Sequence, residues 1–286
     1  MSALFGKSTE IYGRIVNDIA HDLIKERYTF EDISEFERKS RDEHTGREYT
    51  GRVYWTEMLC RAHMSSVASI FRTTRWIQVA IREHDAGSLY GCASACRSLI
   101  ESAGDIGHSL NPVALTLAGI KDAVKAEISG KAGETMILSE DLENSFIHFT
   151  HARKVGKTET APDSHKAMQA FQYINMVERM KIVGVKAFYA DLCEIVHPAA
   201  ESVRVTFVPD NDAWIVDPLQ ERAVLDAMIA ERKQALQGIV MASYNAPLMI
   251  LRVLHAFDIF TKLPGLRKYQ FDKIPEWKKI EAVLRS

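Results

Sequence analysis

Apolar residues recur at steps of three and four along nearly the whole chain, and no other feature limits the fold as much. Ile11, Ile15, Ile19 and Leu23 stand four apart in a polar background, which is the stripe of an amphipathic helix. Leu59, Met64, Val67, Ile70, Phe71, Trp76, Ile77 and Ala80 carry the signal through a long helix between Tyr54 and His84. After the stop at Asp85 to Ser88, Leu89, Cys92, Cys96, Leu99, Ala103, Ile106 and Leu110 form the apolar face of a helix over 88–110. Pro112 is tolerated in a first helical turn, so a further helix is expected from there to about Gly130. Another starts after Ser139, where Asp141 and Glu143 suit the positive end of the helix dipole. Helices are also expected over 166–197, over 219–262 with a bend near Pro247, and after Pro275.

The period changes once. Beyond His197 and Pro198, Val203, Val205 and Phe207 alternate with Arg204 and Thr206, a Pro-Asp-Asn-Asp turn follows, and then come Trp214, Ile215 and Val216. Period two on both sides of a turn predicts a β-hairpin over 203–216. The expected fold class is mainly α, a multi-helix bundle of eight to ten helices with one small β-hairpin.

A chain of 286 residues can bury a full core without disulfide or metal staples, and a single helical domain over 1–286 is expected. Two segments interrupt the apolar pattern. Residues 30–52 are strongly polar and predict a surface excursion with a short helix at about 30–43, broken by Gly46 and Gly51. Residues 151–166 carry Gly, Pro and almost no apolar side chain, and predict a flexible loop.

Charge excludes whole classes of partner. With 36 Lys and Arg against 38 Asp and Glu, the net charge is -2, so the chain has no global field for coating nucleic acid or an anionic membrane, and only a local basic patch remains open. The longest charge-free stretch, Gln234 to Leu251, contains Ser243, Asn245 and Pro247 and is marginal in length for a bilayer, so it is expected to be a buried helix, with no membrane partner. The opening MSALFGKSTE lacks the apolar core of a signal peptide, and four cysteines in a long chain then suggest reduced thiols and a cytoplasmic location.

Chemistry concentrates on two helices. Arg97, Glu101 and His108 share a face of the 88–110 helix opposite its apolar stripe. On the helix that ends at His197, Tyr189, Cys193 and His197 stack at four-residue steps, with Glu194 beside His197. The structural alternative is an Arg97–Glu101 pair at i, i+4 worth a few tenths of a kcal/mol and a His197 that only caps a helix C-terminus.

The strings RSLIES at Arg97 to Ser102 and YADLCEIVHPAAES at Tyr189 to Ser202 resemble paired signatures of bacterial HEPN-like helical bundles. That resemblance implies an Arg and a Glu on one helix facing a His at the end of another around an interior polar site. It further implies an RNA-directed effector of phage defence or of a toxin system, acting as a metal-independent ribonuclease. The Arg-x4-6-His motif of such ribonucleases is matched only by the spacings Arg14 to His21 and Arg38 to His44, which a chain with this many Arg and His residues carries by chance. The candidate catalytic set is therefore Arg97 for phosphate, His197 for general acid and base work, and Glu101 or Glu194 to orient the imidazole. The alternative function is a non-catalytic helical scaffold that binds a protein partner or associates with itself, since long amphipathic helices offer surface for a homodimer.

Metal and cofactor signals are weaker. Cys92-x3-Cys96 and Cys193-x3-His197 each put two ligand types on one helix face, but not at zinc-knuckle spacing, and Cys92 and Cys96 sit on an apolar stripe. Glu194-x2-His197 has di-iron spacing without a second copy. No cofactor and no metal are expected. His151, Arg153, Lys154 and Lys157 form a basic run suited to RNA or phosphate on a loop, with a solvated helix end as the alternative.

Overall fold

The computed structural model describes residues 2–156 and 158–286. In chain order the helices are α1 (Ser2–Phe5), α2 (Glu10–Leu23), α3 (Ile33–Ser40), α4 (Gly46–Asp85), α5 (Leu89–Ser109), α6 (Val113–Gly119), α7 (Lys121–Ile128), α8 (Glu140–His151), α9 (Ala170–Arg179), α10 (Val185–Val196) and α11 (Ala200–Arg204). Strands β1 (Phe207–Asp210) and β2 (Ala213–Val216) follow, then α12 (Gln220–Leu254), α13 (Pro264–Arg267) and α14 (Pro275–Arg285). The chain is 69% helical with one two-stranded antiparallel sheet, a mainly α bundle with a small hairpin. No helix among the described residues is long and apolar enough to cross a membrane.

Several boundaries differ from expectation, each for a local reason. The helix expected at 166–197 is two, because Lys181 and Gly184 take positive φ of 62° and 80°, which no α-helix accommodates. The helix from Pro112 likewise divides at Ile120, whose φ of -109° and ψ of 13° leave the helical region. The last long helix stops at Leu254 rather than 262. Gly46 and Gly51 do not break a helix; α4 starts at the first and runs through the second. Asp42 closes the turn before it by accepting from the backbone N–H groups of His44 and Thr45. A Cβ on Gly51 would lie 2.2 Å from Oε2 of Glu127, so glycine there makes room for a buried carboxylate. The hairpin is shorter than 203–216: Val203 and Arg204 belong to α11, and pairing starts at Phe207 opposite Val216.

The chain groups into two compact units. The first comprises Met1–Arg14, Ser69–His108 and Met168–Asn245. Its core includes Phe5, Leu99, Phe188, Leu192, Leu236 and Tyr244, all buried. Tyr12 stacks on Tyr244 with ring centroids 5.3 Å apart and donates to Oδ1 of Asn245 at 2.7 Å. Gly104 lets α5 approach α9 closely, since a Cβ there would meet the Tyr173 carbonyl oxygen at 2.3 Å.

The second unit comprises Ile15–Ala68, Ser109–Ala167 and Ala246–Ser286. Trp55 is fully buried and donates from Nε1 to the Ile137 carbonyl at 2.9 Å. Glu127 is completely buried and accepts two hydrogen bonds from the Arg47 guanidinium, at 2.8 and 3.1 Å, plus the Ile137 N–H at 3.1 Å. A buried carboxylate is tolerable only with such partners.

Candidate functional site

The first unit holds the candidate site. The expected apolar face of α5 is buried throughout, from Leu89 to Ile106, and the opposite edge of the helix faces α10. Arg97 reaches across that gap. Its Nη1 lies 2.9 Å from Nε2 of His197, and its Nε donates to Oε1 of Glu101 and to the Tyr189 hydroxyl, each at 3.1 Å. Tyr189 in turn donates to Oε1 of Glu101 at 2.5 Å, and the Arg97 Cζ sits 5.5 Å from the Tyr189 ring centroid.

An arginine has only donors, so in this contact Nε2 of His197 is the acceptor. His197 stands at the C-terminal cap of α10. It closes the helix through its backbone, donating its N–H to the Cys193 carbonyl at 2.9 Å. Burial pushes the Tyr189 hydroxyl up to about 12, reinforced by its hydrogen bond to Glu101. It stays a neutral donor across the ordinary pH range.

Of the four residues expected to form a catalytic set, three come together and Glu194 does not. Glu194 is exposed and lines a separate cleft of about 790 Å³ with Ile195, Met228 and Arg232. Five residues at 100° each place it about 140° around α10 from Tyr189, which carries it to that other side. Orientation of the cluster falls to Glu101 and to Tyr189. Tyr189 was visible in the sequence as the first of three stacked residues, but its role needs the neighbouring helix. A second tyrosine tightens the same region: Tyr90 donates to the Ser202 carbonyl at 2.6 Å, holding α11, the short helix that follows His197 and Pro198.

The basic run lies in the second unit. Arg153 is bound to Glu159, with Nη1 donating to Oε2 at 3.0 Å, and its backbone bridges to Lys166. His151 is exposed, with Nδ1 2.6 Å from the Thr150 hydroxyl, and Lys154 is exposed. Lys157 lies outside the described residues. The guanidinium expected to hold phosphate is thus already neutralised by a carboxylate in the same loop.

All four cysteines are free thiols; the Cys92 and Cys96 thiols hydrogen-bond to each other within the apolar face of α5. Among the described residues no group of three or more His, Cys, Asp or Glu side chains converges as metal ligands would. Comparison of the chain with protein-family models, with curated proteins and with solved structures finds no match.

Proposed function

We propose that this chain is a non-catalytic helical scaffold that binds a protein partner, and that the cluster around Arg97 is a clasp joining α5 to α10. The observation that carries this reading is that the cluster closes on itself. The His197 lone pair that a general base would use is occupied by Arg97 at 2.9 Å, and one Glu101 oxygen takes both the Arg97 Nε–H and the Tyr189 hydroxyl. Its one cation is matched by its one carboxylate, which leaves little field to draw in a polyanion. In the same unit α11, the hairpin and the residue before α12 expose Val203, Trp214, Ile215, Val216 and Leu219, large apolar side chains of the kind that marks interaction surfaces.

One observation favours the second reading, an HEPN-like RNA-directed effector in bacterial defence. His197 lies beside the Arg97 guanidinium at 2.9 Å, and an imidazole next to a guanidinium is the pair that a metal-independent ribonuclease needs, the first to take a 2′-hydroxyl proton and the second to neutralise the phosphate. It would require substrate phosphate to draw Arg97 away from His197.

Incubation of the purified chain with total bacterial RNA, with and without chelator, separates the two. The scaffold reading expects intact RNA in every tube. Cleavage that persists with chelator and disappears in folded Arg97→Ala and His197→Ala variants would replace it with the effector.

A further inference from the structure

The hairpin offers one strand edge and guards the other. β1 and β2 pair in the register Phe207↔Val216, Val208↔Ile215, Pro209↔Trp214 and Asp210↔Ala213, and the Asp217 N–H donates to the Thr206 carbonyl just beyond. Hydrogen-bonded and non-hydrogen-bonded pairs alternate along an antiparallel ladder. The pairs at 206↔217, 208↔215 and 210↔213 therefore exchange bonds, and the intervening residues point their backbone groups outward. On β1 those are Phe207 and Pro209, and the proline has no N–H to offer. On β2 they are Trp214 and Val216, with both donors and both acceptors intact.

All four residues of β2 are exposed, and the strand carries neither the Pro nor the Lys that ordinarily blunts a free edge. Trp214 is 64% exposed and Val216 58%. Nothing in the hairpin itself uses these side chains, since the sheet has only two strands.

Charge selects the occupant. The segment 207–217 contains Asp210, Asp212 and Asp217 and no basic residue. The strand is an apolar run with a carboxylate at each end. A second copy pairing antiparallel about a two-fold axis would bring Asp212 of one chain toward Asp217 of the other at both ends, which like charge opposes. Nucleic acid and anionic lipid are opposed for the same reason.

We propose that the outer edge of β2 is a docking site for an extended segment of a partner protein, apolar in its middle and flanked by Lys or Arg, which adds as a third strand. This rests on the scaffold reading and names its partner class. Backbone groups of Trp214 and Val216 supply the ladder, side chains of Trp214, Ile215 and Val216 cover those of the guest, and Asp212 and Asp217 receive its basic flanks.

The test is selection of random twelve-residue peptides on the full-length chain, followed by binding of a synthesised winner, read by Trp fluorescence. The expected winners place Lys or Arg on both sides of alternating apolar residues. Val216→Pro removes one outward N–H at a position equivalent to that of Pro209 on β1, so the hairpin's own bonds survive, and binding should weaken about threefold to tenfold. Asp212→Lys combined with Asp217→Asn, at exposed positions, should shift selection away from basic flanks. No enriched peptide, acid-flanked winners, or equal binding by Val216→Pro would overturn the proposal. So would a concentration-dependent dimer in sedimentation that Val216→Pro dissolves, because the occupant would then be a second copy. RNA cleavage through Arg97 and His197 would instead strike the scaffold reading alone, and the peptide result would still be readable.

Discussion

Arg97 and His197, a hundred residues apart in sequence, meet at 2.9 Å, and the meeting fixes the imidazole as an acceptor. Because unrestrained neutral histidine favours the proton on Nε2, the contact predicts the rarer tautomer. Long-range proton–nitrogen correlation spectra at pH 8 should show His197 protonated on Nδ1. In Arg97→Ala the same ring should revert to the Nε2–H form, and a wild-type spectrum already of that form would refute the contact.

The second unit predicts a specific sensitivity to acid. His63 is 2% exposed, stacks on Phe260 with centroids 4.4 Å apart, and has Nδ1 2.6 Å from the Tyr28 hydroxyl. Burial drives its pKa down to about 4, and burial with Arg267 and Arg252 nearby drives His255 to about 4 as well. Both rings are thus harder to protonate folded than unfolded. Stability from them is complete above pH 6.5, falls as pH drops, and is lost by about pH 4. For His63 the loss is about 3 kcal/mol. Urea midpoints between pH 7 and 4 should fall more steeply for wild type than for His63→Phe, which keeps the stack on Phe260; parallel curves would contradict it.

Glu127 predicts a larger, pH-independent defect near neutrality. Its carboxylate is fully buried, and Arg47 would be left without its counter-charge, keeping only the Thr135 carbonyl. Glu127→Ala should cost about 3–5 kcal/mol in denaturant unfolding. Gly51→Ala should also destabilise the unit, because its Cβ would meet the same carboxylate at 2.2 Å. Wild-type midpoints for both variants would remove Glu127 from the account.

Legibility in the sequence followed the kind of interaction. The α5 stripe was fully readable because every member is apolar and buried. α4 was not: His63, Ser66, Ser69 and Thr73 are buried while Met64, Val67, Phe71 and Trp76 are only half-buried. Ser66 satisfies itself by donating to the Ala62 carbonyl at 2.8 Å, so a hydroxyl on a helix can enter the core without any outside partner. The hairpin was found but begun too early, since Val203 and Val205 alternate like a strand while a five-residue helix holds Val203 out and Val205 in.

The site shows the same division. Arg97 and Glu101 were readable as one helix face, and Tyr189, Cys193 and His197 as another. That Tyr189 ties the two together, and that Glu194 leaves the cluster, depends on which side of α10 meets α5, and helix spacing alone does not carry that information. Glu127 gave no signal at all: a lone Glu in KDAVKAEI looks like any solvated charge until Arg47 closes on it.

The central claim is that the Arg97 cluster holds the fold together rather than performing a reaction. The most direct measurement is the melting temperature of Arg97→Ala by calorimetry. Loss of bonds to Glu101, Tyr189 and His197 at a partly buried position should cost about 1–3 kcal/mol, a fall of about 2–5 °C for a chain of this size. An unchanged melting temperature would contradict the clasp and return Arg97 and His197 to the role of a reactive pair.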